Sequence, residues 1–348
     1  MIARHYSIAN ICTCDRNGTL TATDSVMEKA MRSATMHRNP AYHVSWGVLA
    51  IVAATLYSPK FAPAAQESQK TFASPDAAVQ ALIQAARQSD KQGLLEILGP
   101  EAEDIIDSGD EVADRQQREK FLTTYDERHT LVSKSDGSII LQVGSQEWPF
   151  PIPIVKDGEA WRFDTPSGID EILNRRIGAN ELSAMQACLA IVDAQREYAM
   201  QDRDGDGLQA YAEKFVSDPG KKDGLYWETQ QGEVPSPLGA LFLKASQEGY
   251  NDTPATGNPR PYYGYYYRLL QSQGEHAPGG AFDYVVQGKM LGGFAVVAYP
   301  AEYGNSGVMT FMVNHDGVVY QKDLGPDTEQ IAGTMSAFDP DASWEKVD

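Results

Sequence analysis

The chain has 348 residues, 42% of them hydrophobic, which is enough for two ordinary cores and excludes a disordered polymer. Its 29 basic and 48 acidic residues give a formal net charge of -19, which opposes binding to nucleic acid or to an anionic membrane surface.

Residues 44–57 form an apolar run, preceded by Arg32, His37 and Arg38 and followed by Ala62-Pro63-Ala64-Ala65. That is the layout of a secretory signal peptide cleaved after Ala64 or Ala65, since the run is shorter than the roughly 20 residues a spanning helix needs. Residues 1–26 lie far upstream for such a signal. Met27, Met31 or Met36 would each give a more usual start, so 1–65 is read as an upstream extension plus signal peptide. An internal start would leave Cys12 and Cys14 out of the product. Processing would remove six basic and three acidic residues, giving a net charge of -22, and would leave Cys188 as the single cysteine. The expected product is periplasmic or secreted, with no stable membrane anchor and no disulfide framework; a lone thiol in an apolar helical pattern reads as packing.

From 66 to 166 the period of the pattern changes once. Ser74-Pro75-Asp76 opens a helix bearing Val79, Leu82, Ile83 and Ala86. A second helix carries Leu94, Leu95, Ile97 and Leu98, and a third covers 115–125. Strands then follow at 130–132, 139–143, 151–155 and 160–163, with Asp136-Gly137 and Asp157-Gly158 as hairpin turns. Helices first and an antiparallel sheet after them make an α+β unit. Its element order resembles the nuclear-transport-factor-2-like (NTF2-like) cone, a fold that often holds a pocket. Residues 148–153 (Trp-Pro-Phe-Pro-Ile-Pro) read either as a ligand-site wall or as an edge strand blunted by prolines.

From 167 to 348 a helical stretch begins at Ser167-Gly168, breaks at Gly178, and resumes with Asn180 as its cap and Leu182, Met185, Leu189 and Val192 on one face. A loop, a helix over 237–247 and strands at 262–270, 282–287, 293–299, 308–313 and 318–321 follow, with a last helix near Pro326-Asp327. Asn314-His315-Asp316-Gly317 is the hairpin between the final two strands. The expectation is a long helix packed on an antiparallel β-meander.

Between the helix and the loop lies Asp202-Arg203-Asp204-Gly205-Asp206-Gly207, with Glu213 six residues on, the spacing of a calcium loop. In that pattern Asp202, Asp204 and Asp206 give side-chain oxygens, Gly207 allows the bend and Glu213 binds bidentately, with a short exiting helix over 211–215. Gln209 replaces the usual aliphatic residue and there is no second loop. A solvated Asp/Gly turn is the plainer alternative, and a structural calcium ion is the one cofactor proposed.

Tyr198-Ala199 with 202–207, Gly220-Lys221 with 223–227 (Asp-Gly-Leu-Tyr-Trp), Ser236-Pro237-Leu238-Gly239, Gly264-Tyr265-Tyr266, Ala277-Pro278-Gly279-Gly280-Ala281, 307–311 (Gly-Val-Met-Thr-Phe) and Asp323-Leu324-Gly325 together resemble an uncharacterised bacterial family, domain of unknown function 2950. Trp148-Pro149-Phe150-Pro151 and Trp161-Arg162-Phe163-Asp164 match it too. The resemblance covers nearly all of the mature chain and implies export in Gram-negative bacteria, with no activity attached. The second domain is also similar to the globular head of type II pseudopilins, through Ala298-Tyr299-Pro300 and the hairpin ending in Asp316-Gly317, although the apolar N-terminal pilin helix is missing.

His129, His276 and His315 do not form a zinc motif, there is no phosphate-loop pattern, and Gly304-Asn305-Ser306-Gly307 is one residue short of a serine-hydrolase elbow. Tyr262, Tyr263, Tyr265, Tyr266 and Tyr267 with Tyr226 and Trp227 read as a sugar-stacking face or as strand packing. The leading reading is a non-enzymatic exported protein with a binding or structural role toward an envelope protein or glycan. Its alternatives are an envelope hydrolase of polysaccharide or peptidoglycan, built on the first domain's cavity and His129, and a pseudopilin-like assembly component.

Overall fold

A computed structural model describes residues 69–203, 205–230, 232–250 and 260–347. The extension and signal peptide expected over 1–65, and Asp204, lie outside them. Among the described residues no helix is long and apolar enough to cross a membrane.

Ser74 caps α1 (Pro75–Gln88) by accepting the Ala77 amide at 3.2 Å, as its Ser-Pro start demands. α2 (Lys91–Leu98), the single turn α3 (Glu103–Ile106) and α4 (Glu111–Glu127) follow. α4 begins earlier than its apolar pattern indicates, because Asp110 accepts the Val112 and Ala113 amides. The chain then turns into antiparallel strands β1 (His129–Ser133), β2 (Ile139–Val143), β3 (Trp148–Pro149), β4 (Ile154–Asp157) and β5 (Ala160–Phe163). They run in the order β1-β2-β4-β5, with β3 on β2. Gly137 and Gly158 take φ of 85° and 63°, which their hairpins require and a Cβ would strain.

The helix break expected at Gly178 is absent: α5 runs unbroken over Ile169–Tyr198. Asn180 does not cap. It is buried, and its amide donates to the Ser306 carbonyl at 2.9 Å, so a contact 126 residues away sets its role. Arg176, one turn earlier, donates to the Asp104 and Ile105 carbonyls at 2.6 Å each and to the Asn305 side chain. Beyond α6 (Gly239–Gln247), the main sheet comprises β6 (Tyr265–Leu270), β11 (Ala295–Pro300), β12 (Met309–Asn314), β13 (Val319–Asp323) and β15 (Glu345–Lys346), antiparallel throughout in the order β15-β13-β12-β11-β6. Short strands β7 (Ser272–Gln273), β8 (Phe282–Asp283) and β14 (Ala337–Phe338) form a small mixed sheet. β9 (Val285–Val286) and β10 (Lys289–Met290) form a hairpin, and α7 (Thr328–Thr334) packs on β11.

The molecule is therefore α+β with antiparallel sheets. Glu67–Asp348 is one compact unit holding two hydrophobic cores, one drawn from residues 72–163 and one from 184–338. Leu141, Ile152, Ile154 and Phe163 are sealed in the first; Tyr265, Tyr284, Phe294 and Phe311 anchor the second, where α5 lies on β11 and β12. Each such side chain contributes about 1.5–3 kcal/mol.

Glu181, on α5, accepts the Val308 and Met309 amides at 3.1 and 3.0 Å through one oxygen, and burial pushes its carboxyl up. A carboxyl raised in the folded state favours folding most at low pH, and that contribution is lost as pH rises through the folded value. E181Q keeps the acceptor without the charge. Its melting temperature should exceed the parent's at neutral pH, and the gap should close below about pH 4, where a carboxylate is protonated anyway.

Candidate functional site

α5 delivers the chain to the acidic bend. Asp202 turns both oxygens inward, Oδ1 accepting the Gly205 amide at 2.8 Å and Oδ2 the Gly207 amide at 2.9 Å. Gly205 and Gly207 sit at φ of 78° and 87°, so the bend needs glycine at both. Asp206 accepts the Leu208 amide at 2.9 Å through Oδ1 and pairs with the Lys289 ammonium through Oδ2. Backbone N–H groups and a lysine thus hold the two described aspartates. Among the described residues no three of His, Cys, Asp and Glu converge, and Asp204 lies outside them.

The exiting helix expected over 211–215 is not formed. The Tyr211 amide donates to the Met290 carbonyl at 2.9 Å in an antiparallel bridge. Gln195, fully buried on α5, clamps Ala212 from both sides: its Nε2 donates to the Ala212 carbonyl at 2.7 Å and its Oε1 accepts the Ala212 amide at 2.8 Å. These bonds hold the segment extended, whatever its helical propensity.

The extended segment, the bend and the β9–β10 hairpin enclose a cleft of about 420 Å³. The hairpin turns through Gln287 and Gly288 at φ of 53° and 78°, the pair of left-handed residues a two-residue hairpin favours. That turn places Gly288 and Lys289 on the cleft wall, opposite Tyr211, Glu213 and Lys214 of the segment. Lys214 is already neutralised by Asp218 at 2.6 Å and Asp223 at 3.0 Å, and with Lys221 it holds the Asp218 carboxyl down at about 2.

Arg203 is the wall residue that the motif pattern passes over. Its guanidinium carbon lies 5.3 Å from the centre of the Tyr198 ring and 5.3 Å from that of Trp227, and Nε makes a long 3.4 Å bond to the Tyr198 carbonyl. The two rings meet because the Tyr198 hydroxyl donates to the Lys222 carbonyl at 2.7 Å, fastening the 222–227 return to the helix end. Trp227 is 8% exposed, and its indole N–H has no acceptor among the described residues. Glu213, the expected bidentate ligand, is exposed on the same cleft. Among the described residues, neither Arg203 nor Glu213 has an oppositely charged partner.

The other candidates are packed or peripheral. His129 stacks on Tyr125 with centroids 3.8 Å apart, on an exposed strand position. Trp148 projects from edge strand β3 at 59% exposure, whereas Phe150 packs on Phe121 and Ile152 is sealed in the core. Tyr265 is fully buried, donating to the Met309 carbonyl at 2.9 Å, and Tyr262 and Tyr263 pack edge to face with their hydroxyls on Glu248. Burial pushes the Cys188 thiol up to about 12, so it stays protonated and inert. Ser306 is buried, with its hydroxyl satisfied by the Glu302 backbone.

The family described as "Protein of unknown function (DUF2950)" matches residues 69–347. The chain belongs to that family. Comparison with curated proteins and with solved structures gave no match. The match takes in both cores, the bend and the cleft walls of this DUF2950 protein, so the site just described lies inside the family's extent.

Proposed function

We propose that this DUF2950 protein is an exported binding protein with no chemistry of its own, that its ligand site is the cleft beside the acidic bend, and that calcium sets the bend. Export is supported by the apolar run and the Ala-Pro-Ala-Ala site, and division near residue 166 by the two cores. Helices followed by an antiparallel sheet support the NTF2-like reading of the first part, and α5 on the meander supports the pilin-like reading of the second.

One observation carries the functional reading: Lys289 belongs to the bend and to the cleft at once, pairing with Asp206 while lining the cavity. A calcium ion drawn to the aspartate carboxylates of the bend would compete with that ammonium and turn it toward the cleft, coupling ion and ligand.

Calcium titration followed by melting temperature tests this. The parent protein should be stabilised, a D202A/D206A variant should not respond, and K289A should respond at lower calcium because the competing cation is gone. A parent protein that melts identically with calcium and with chelator removes the ion from the account.

A further inference from the structure

Among the described residues, the cleft carries one cation and one anion without an oppositely charged partner. Lys214 faces Asp218 and Asp223, Lys289 faces Asp206, and Asp202 is turned onto the Gly205 and Gly207 amides. Arg203 and Glu213 line the same cavity with no such partner among the described residues. A guanidinium already placed over two aromatic rings loses little freedom when it accepts a carboxylate, and its fork can donate two parallel N–H bonds to one. Arg203 is half-buried, so water screens that pairing less than it would at a surface arginine.

The surrounding charge restricts which anion fits. Glu213 and Asp223 share the cleft, and the whole chain carries -19, so a phosphate or a polycarboxylate meets repulsion where a single carboxylate does not. A ligand bearing an ammonium as well meets Glu213. Leu208, Ala210, Ala212 and the Tyr211 ring supply an apolar wall for the part between.

We propose that Arg203, steadied by Tyr198 and Trp227, binds the carboxylate of a small zwitterion with an apolar body, an amino acid or the end of a short peptide, whose ammonium is taken by Glu213. This rests on the cleft being the ligand site.

Proton–nitrogen correlation spectra of the full mature chain test it, with the Arg203 Nε–Hε signal assigned by its loss in R203K and the Gly288 amide as a second reporter. The probes are leucine, leucyl-leucine, 4-methylpentanoate (no ammonium) and 3-methylbutylamine (no carboxylate). Leucine or the dipeptide should shift both signals, and which of the two binds more tightly separates a free amino acid from a peptide end. 4-Methylpentanoate should bind at least about tenfold more weakly, the worth of one charge-assisted bond, and the amine should not move Arg203. R203M should abolish binding, and E213Q should erase the preference for leucine over 4-methylpentanoate while the Arg203 shift persists. Equal binding of leucine and 4-methylpentanoate by the parent overturns the zwitterion. A Gly288 shift without an Arg203 shift overturns the inference while leaving the cleft a binding site; no shift at either overturns both.

Discussion

D110A should unfold at markedly lower urea than the parent, with a loss of roughly 3–5 kcal/mol. Asp110 is 3% exposed and is the acceptor for four donors: the Val112 and Ala113 amides at the start of α4, the Tyr250 hydroxyl at 2.9 Å and the Gly264 amide at 2.9 Å. Loss of the cap alone costs about 1 kcal/mol. The rest comes from half-buried Tyr250, at about 1 kcal/mol, and buried Gly264, at about 1–3 kcal/mol, donors that lose their acceptor. Y250F removes one donor, leaving the carboxylate its other three, and takes from the Tyr263 amide its acceptor at 3.3 Å, so it should cost about 1–2 kcal/mol, still well short of D110A. Because the bonds join residue 110 of the first core's helices to residues 250 and 264 beside the second core, the D110A loss should appear in amide exchange on both sides. A loss confined to α4 would mean that Asp110 is only a helix cap.

What could be read from the sequence follows the range of the forces involved. The hairpins of β1–β2, β4–β5 and β12–β13 are legible because Asp136-Gly137, Asp157-Gly158 and Asp316-Gly317 state their own geometry, and Gly137, Gly158 and Gly317 take positive φ, whereas the single strand expected over 282–287 is split between β8 and β9 of different sheets. The break expected at Gly178 does not form: local propensity counts Gly and Asn against a helix, whereas Ile177, Asn180 and Ala184 are buried against distant chain that holds the helix through. The exiting helix at 211–215 failed for the same reason: Gln195 and Met290 are respectively 16 residues before and 79 residues after Tyr211 and are invisible to a local window. Asp110 was legible in principle, as an Asp followed by the helix-forming 111–125, but the apolar pattern alone placed the start too late.

The candidate site was half legible. The aspartate spacing marks the bend, and Asp202 and the two glycines shape it. Arg203 carries the unmatched charge and sat at an unspecified position of the motif. Its partners Tyr198 and Trp227 are 29 residues apart and meet where the Tyr198 hydroxyl bonds the Lys222 carbonyl, so no spacing rule joins them.

G264A should cost roughly 2–4 kcal/mol, from two separable causes. Gly264 lies at φ of 72°, where any other residue is strained by about 1 kcal/mol. A Cβ there would also sit 2.6 Å from Asn180 Nδ2 and 2.9 Å from Ser306 Cβ, displacing the bond by which α5 holds the Ser306 carbonyl. G137A provides the control, because Gly137 has φ of 85° with nothing within 4 Å of the added carbon. It should lose only the backbone share, about 1 kcal/mol. The difference between the two measures how tightly Gly264 is enclosed, and equal losses would show that backbone strain accounts for the whole effect. Gly264 also donates to Asp110, so G264A and D110A disturb one bond between them. Their combined loss should fall short of the sum of the two, and strict additivity would mean that the Gly264–Asp110 bond contributes nothing.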